Sequence, residues 1–301
     1  MSKKVVCLNS EGRSREKEKA LIIQGLRQKH DLKMLLQAAD MARSTFYYHI
    51  QKNKKADKYD HLKIQIKNLY DQHKGRLGYR RMVYALRELG FHLNDKTVLR
   101  LMKSMGLKSV IRVKKYKTYR GQFGKVAENV LQRNFRADRP FQKWATDVTE
   151  FKVGVQKLYL SPIIDLFNGE IISYKLSERP NFKQVTEMIK EAFIRIPKQQ
   201  TALILHSDQG WQYQMKAYQK LLQEKAVIQS MSRKGNCLDN AVIENFFGTI
   251  KSELFYLKKY QTIEELKMEI KSYISYYNND RIRLNLKGMS PVKYRTQMWK
   301  N

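Results

Sequence analysis

From Trp144 onward the order of elements leaves few architectures open. Three strand-like runs come first, WATDVTEFKV, KLYLSPIIDLF and GEIISYKLSE, and Asn168-Gly169 between the last two is a hairpin signal. An amphipathic helix follows at 181–196, then a short apolar strand, TALILHSDQG, closed by a glycine turn. Residues 215–226 read as helix and VIQSMS as strand, and two more helices begin near Asn240 and Thr262. Three meandering strands followed by alternating helices and strands predict an α/β mixed sheet with helices on both faces.

Ahead of that core the pattern is all helical. LLQAADMARSTFYYHIQK reads as helix, tight turn, helix, with Leu35, Leu36 and Ala39 facing inward. Ser44 is placed to cap a second helix carrying Thr45, Tyr47, Tyr48 and His49. Small polar and aromatic residues after a short turn suit the major groove. A plain helical hairpin fits the same residues nearly as well. The basic run 51–63 reads as a linker. A second helix pair follows, with Met82, Val83, Leu86 and Leu89 inward on its first helix. Asn94 caps the second, which turns Val98, Leu99, Leu101 and Met102 inward. Arg80, Arg81, Lys96 and Arg100 are the DNA-facing candidates of this pair.

Residues 108–120 carry Lys108, Arg112, Lys114, Lys115, Lys117 and Arg120 with no acid, and Tyr116 and Tyr119 are interleaved. A solvated linker is one reading. Tracking a nucleic-acid backbone while stacking on frayed bases is the other. The expected organisation is a helical segment at 1–55, a second at 56–107, a basic linker at 108–139, an α/β core at 140–280 and a tail at 281–301.

Charge names the partner class. The chain's 59 Lys and Arg against 28 Asp and Glu give +31 over 301 residues, and residues 1–140 hold 34 of the bases and only 12 of the acids. A field of that size points to a polyanion, and the helix pairs favour DNA over RNA. No run of 18 apolar residues and no signal-peptide core is present, so a cytoplasmic protein is expected. Cys7 and Cys237 form no C-x-x-C pair, and the six histidines lack metal-ligand spacing. Any metal must therefore be held by oxygen.

Three carboxylates stand out. Asp147 sits in the strand WATDVTEF, on the same side as Ala145 and Thr149. Asp208 follows the strand ALIL at its carboxyl end, where open α/β sheets place their ligand sites. Glu244 lies on a helix whose Val242, Ile243, Phe246 and Phe247 form an apolar stripe. Asn240 one turn before it and Lys251 two turns after share its polar face, whereas Glu253 points elsewhere. Acids converging in the less basic half of such a chain suit Mg²⁺, a hard cation taking carboxylate oxygens. Asp165 more simply supports the turn that follows it, Asp239 reads as an N-cap, and His206 as a packed structural histidine.

WATDVTEF, LHSDQGWQY, NAVIENFFGTIKSEL and YYNNDRIRLNLKGMSPVKY together resemble the DDE transposases of bacterial insertion sequences. Within these, the likeness is to the B-frame catalytic protein of the insertion-sequence-three family, related to retroviral integrases. It covers residues 20–297, and GYRRM…LNDKTVLRLM resembles the helical segment that precedes the family's catalytic core. The resemblance implies a ribonuclease-H-like core from about residue 140, with the metal ligands falling on Asp147, Asp208 and Glu244 and the family's basic residue on Lys251. It implies two Mg²⁺ ions, with Mn²⁺ as a substitute, and a copy-out, paste-in route through a circular intermediate. It further implies element-end and target DNA as substrates, a homo-oligomer on DNA in the bacterial cytoplasm, associated with the nucleoid, and fusion to or association with an A-frame helix-turn-helix and leucine-zipper protein. The zinc-binding domain of retroviral integrases has no counterpart here, and no heptad run supplies a zipper.

Two rivals remain at this level. A non-catalytic DNA-binding regulator explains the charge but not the three acids, and a nuclease of the same fold would cut without joining. Whichever holds, affinity for duplex DNA should fall by about 10³-fold or more between roughly 50 and 200 mM salt. Fluorescence anisotropy against salt measures this, and a flat response would remove the polyanion reading.

Overall fold

The computed structural model describes residues 12–54, 57–111, 127–197, 202–233 and 237–298. It divides into two compact units, Met1–Gln65 and Ile66–Asn301. No helix among the described residues is long and apolar enough to cross a membrane.

The first unit packs α1 (Gly12–Leu26), α2 (Leu32–Ala38) and α3 (Arg43–Lys54) around Ala20, Ile23, Leu36, Met41 and Phe46. Asp31 caps α2 by accepting from the Lys33 N–H at 3.2 Å. The reversal into α3 runs through Asp40 at φ 49°, a left-handed position that Asp tolerates. The Met41 N–H then reaches back to the Leu36 carbonyl at 3.0 Å. α3 opens at Arg43, so Ser44 lies inside its first turn and is not its cap. The run 51–63 is not a plain linker either, because it ends α3 and begins α4 (Asp60–Gln72).

The second unit begins within α4. α5 (Tyr79–Glu88) and α6 (Asp95–Ser104) bury Met82, Val83, Leu86, Val98, Leu101 and Met102, the apolar positions three and four apart. Asn94 caps α6, accepting from the Lys96 N–H at 2.9 Å. Leu89, expected inward, is 51% exposed because α5 ends at Glu88 and Leu89 is its C-cap.

The sheet follows. β1 (Lys143–Thr146) and β2 (Thr149–Val153) both run antiparallel to β3 (Gln156–Asp165), as two halves of one strand broken at Asp147-Val148. β4 (Ile171–Ser177) pairs with the other side of β3. β5 (Ile204–Ser207) lies parallel to β1, and β6 (Ile228–Met231) parallel to β5. The order across the sheet is therefore β4, β3, β1 with β2, β5, β6. Gly169, at φ 74°, makes the β3–β4 turn.

Both faces of this mixed α/β sheet are covered. On one, Trp144, Ile163 and Leu205 pack against α7 (Phe182–Ile194) and α8 (Lys216–Gln223). On the other, Ala145, Phe151, Leu158 and Leu160 pack against α9 (Ala241–Ile250) and α10 (Ile263–Asn279). Alternation on the broken strand sorts its side chains, since Thr149, Phe151 and Val153 are buried and Glu150 and Lys152 are exposed.

Residues 281–298, which include α11 (Pro291–Met298), are pinned to the core by two buried acids. Glu170 accepts from Arg195 at 2.6 Å and Arg295 at 2.7 Å, and Glu253 accepts two bonds from Arg281, each 2.8 Å. Arg281 and Glu253 are both buried, and removing one partner of such a pair strands the other charge. Arg281→Ala should therefore destabilise the fold by about 3–5 kcal/mol. A lowered urea midpoint measures it, and an unchanged midpoint would show that Glu253 does not need this partner.

Candidate active site

The parallel register of β1 and β5 builds the centre of the site. Ala145 is paired with His206, so two residues further along each strand come Asp147 and Asp208. Neighbouring strands lie about 4.8 Å apart, and a step of two keeps both side chains on the Ala145 side, the side that α9 covers. Asp147 is not mid-strand. It occupies the break where β1 stops and β2 begins, and its Oδ1 accepts from the Val148 N–H at 2.6 Å. Asp208 just passes the end of β5, and its Oδ1 accepts from the Gly210 N–H at 2.9 Å. Glu244 comes from the first turn of α9, whose Ile243, Phe246, Phe247 and Ile250 are buried against the sheet.

The electrostatics single out these three. Burial pushes the Asp147 carboxyl well above the usual carboxylate range, Asp208 and Glu244 add to it, and the Val148 N–H and the Lys251 charge pull it back. Burial raises Asp208, and burial with the Asp208 charge raises Glu244. Asp165 is also raised by burial, to about 6, although it has three donors, whereas the buried acids paired with arginine are lowered. Asp165 accepts from Phe141, Phe167 and Trp144, Asp239 from Arg133 and Arg233, Glu170 from Arg195 and Arg295, and Glu253 from Arg281 and Arg81. Among the described residues no arginine is paired with Asp147, Asp208 or Glu244. Mutually repelling carboxylates in a chain of +31 form a donor set that fits a hard divalent cation. Asp147 and Asp208 stand on adjacent strands and Glu244 lies within electrostatic reach, but no three such side chains among the described residues yet close around one point.

The flanking positions are also defined. Asn240 is the N-cap residue of α9, yet its side chain caps nothing; it is buried, and neither amide atom has a hydrogen-bond partner among the described residues. Asp239, read as the cap, instead takes Arg133 and Arg233, both at 2.9 Å. Lys251 closes α9, with its Nζ 5.5 Å from the centre of the Phe151 ring. Burial lowers its pKa, while the charges of Glu150 and Asp147 raise it. Lys258 lies past the helix end and is committed to Glu265 and Glu269, both at 3.0 Å. His206 is structural, fully buried between Ser230 and the Asp239 carbonyl at 2.8 Å each.

The remaining DNA-facing candidates divide. Ser44 and Tyr48 are exposed on α3, Thr45 is half-buried, and Tyr47 packs edge-on against Phe46. Arg80, Lys96 and Arg100 are exposed on α5 and α6. Arg81 corrects its expectation, since it turns inward and its Nη1 donates to Glu253 at 3.2 Å. Arg112, Lys114, Lys115, Lys117 and Arg120, with Tyr116 and Tyr119, lie outside the described residues. Two residues beside the site went unread in the sequence. Trp211, three positions after Asp208, is 51% exposed, and Tyr213 is buried with its pKa raised by burial, then by Asp147 and Asp208. Their signal was available in DQGWQY, directly after a strand end.

Family models place the chain. An integrase core domain matches residues 137–237, a second integrase core domain 244–299, and an HTH-like domain 58–115. The putative transposase InsK for insertion sequence element IS150 of Escherichia coli K12 is 53% identical over 278 residues, spanning 92% of this chain and 98% of that protein. An uncharacterized transposase-like protein of Haemophilus influenzae is 53% identical over 216 residues, spanning 72% and 99%. Among solved structures, the HTLV-2 integrase catalytic core domain in complex with magnesium has a TM-score of 0.43 at 19% identity, covering 52% of this chain and 98% of that one.

The raised Asp147 carboxyl carries a stability consequence. Its folded-state pKa exceeds the unfolded one, so the cost is absent below the ordinary carboxylate value near 4 and grows as pH rises through the raised value. Asp147→Asn should raise the melting temperature of metal-free protein at pH 8 and leave it unchanged near pH 4. It should also remove any stabilisation by added Mg²⁺. Thermal melts at the two pH values check this, and a lower melting temperature at pH 8 would contradict it.

Proposed function

Because the chain belongs to the insertion-sequence transposases with an integrase core, we propose that it cuts its element's ends and joins the resulting 3′-OH to target DNA, with Asp147, Asp208 and Glu244 as one metal-binding carboxylate set. The observation that carries this is the contrast among buried acids. Glu170, Asp239 and Glu253 are each paired with arginine and lowered, whereas Asp147, Asp208 and Glu244 have no arginine among the described residues and repel one another. Evolved sites hold such unfavourable arrangements where chemistry needs them.

Asp147 and Asp208 present oxygens from adjacent strand ends, and Glu244 offers a third group from α9. Bound as a pair, Mg²⁺ or Mn²⁺ ions would supply Lewis-acid stabilisation to the attacking and leaving oxygens of an in-line phosphoryl displacement. The Lys251 ammonium, over the Phe151 ring and feeling the charges of Glu150 and Asp147, is offered to a phosphate oxygen of the bound end. The Asn240 amide, unsatisfied among the described residues, offers a donor and an acceptor on the same helix. With the phosphate and the 3′-OH so held, the protein's share of the rate comes from positioning and charge. Exposed Lys96 and Arg100 on α6 supply backbone contacts, and Ser44 and Tyr48 on α3 are candidates for groove contacts. Joining an end to a target brings several DNA segments together, which favours an oligomer on DNA.

Asp147→Asn, Asp208→Asn and Glu244→Gln should each slow cleavage and joining on the order of 10²- to 10³-fold or more. DNA affinity should survive, because it rests on lysines and arginines elsewhere. Joining of a pre-cut 3′-OH duplex into a plasmid separates a transposase from a nuclease of the same fold. A variant that joins at the wild-type rate loses its place in the carboxylate set.

A further inference from the structure

The helix that carries Glu244 does not finish as an α-helix. At Lys251 it passes into a π-turn, Lys251–Phe255, closed by the Tyr256 N–H donating to the Lys251 carbonyl at 2.8 Å. Such turns are rare, recur at functional sites, and persist only where their surroundings hold them.

Five of the bonds that hold it meet at one residue. Glu253 is 1% exposed, and its carboxylate accepts from Arg281 twice at 2.8 Å, from the Tyr273 hydroxyl at 2.9 Å and from Arg81 at 3.2 Å. Its main-chain carbonyl accepts from Arg76 Nε at 3.0 Å. Arg76 is itself buried, with its guanidinium 5.2 and 4.9 Å from the centres of the Tyr273 and Tyr276 rings. Arg76 lies just before α5 and Arg81 lies on it, within the HTH-like region at 58–115. The helix pair thus grips, by side chain and by backbone, a residue two positions from Lys251.

We propose that Arg76 and Arg81 are positioning residues for strand transfer: by holding Glu253 they set the π-turn, and the π-turn sets where the Lys251 ammonium stands, over the Phe151 ring beside the carboxylate set. The inference rests on the role given to Lys251 above. It makes the docking of α5 on its own core part of active-site assembly, in addition to any contact the pair makes with DNA.

A double-mutant cycle on joining of a pre-cut 3′-OH duplex, carrying the element's own inverted repeat, tests it. Arg81→Ala leaves Glu253 bonded to Arg281 and Tyr273, so the fold has its buried pair intact. At saturating DNA its kcat should fall about tenfold, with KM and salt slope unchanged. Arg81→Lys should recover part of the rate, and combining Arg81→Ala with Lys251→Ala should cost no more than Lys251→Ala alone. Amide exchange at Tyr256 should quicken in Arg81→Ala while β3 and β5 keep wild-type protection. A raised KM with wild-type kcat would overturn the proposal and return Arg81 to DNA contact, and full additivity with Lys251→Ala would overturn it as well. Unchanged exchange at Tyr256 would overturn it without reference to activity. Failure of the wild-type protein to join the end would count against the functional reading instead, and the exchange result would then decide the mechanical link.

Discussion

The parallel pairing of β1 with β5 is the constraint on which the site depends. With Ala145 opposite His206, the two strand ends deliver Asp147 and Asp208 to the same side of the sheet. Side chains alternate along a strand, so a slip of one residue would send one aspartate to the opposite face. The register is held from both faces, by Trp144 and Leu205 in one core and Ala145 in the other. His206 extends the same control to α9. Its ring bridges Ser230 on β6 and the Asp239 carbonyl just before α9, so the strand that presents Asp208 also anchors the helix that presents Glu244. Burial lowers its pKa, consistent with a neutral ring that donates at one nitrogen and accepts at the other.

Charge then separates the arginine-paired acids from the proposed metal-binding set. Bases outnumber acids about two to one in this chain, 59 against 28, and three of its buried carboxylates are paired with arginine. Glu170, Asp239 and Glu253 each have one, and each is held below the ordinary carboxylate range despite burial. Asp147, Asp208 and Glu244 are raised instead. Leaving them to repel one another costs stability, and binding a divalent cation is the event that would return it.

The arginines of the second unit take two placements. Arg80 and Arg100 are exposed, whereas Arg76, Arg81 and Arg281 turn inward to one glutamate and its carbonyl. Planar guanidinium groups suit the inward one, since they bond in a fixed fork and stack on tyrosine rings. That network joins α5, the π-turn and the C-terminal segment around the end of α9.

The sequence by itself determined the order of elements, the hairpin at Asn168-Gly169 and the Asn94 cap, and it singled out three carboxylates as candidates, because each follows from local periodicity, turn chemistry or a motif a few residues long. It also separated Glu253 from the Glu244 face, since nine residues along a helix change direction by about half a turn. Only the tertiary structure decided the rest. Ser44 lost its cap role to a helix that starts one residue earlier, and Asp239 lost its own to two arginines distant in the chain or across a turn. Arg81 left the expected DNA face because Glu253, 172 residues away, offers a buried partner that no local pattern announces. Asp147 became a strand break, a property of β3 pairing with both of its halves. Periodicity reports which side a residue faces, but its partner is settled by long-range pairing, and charge burial is governed by partners.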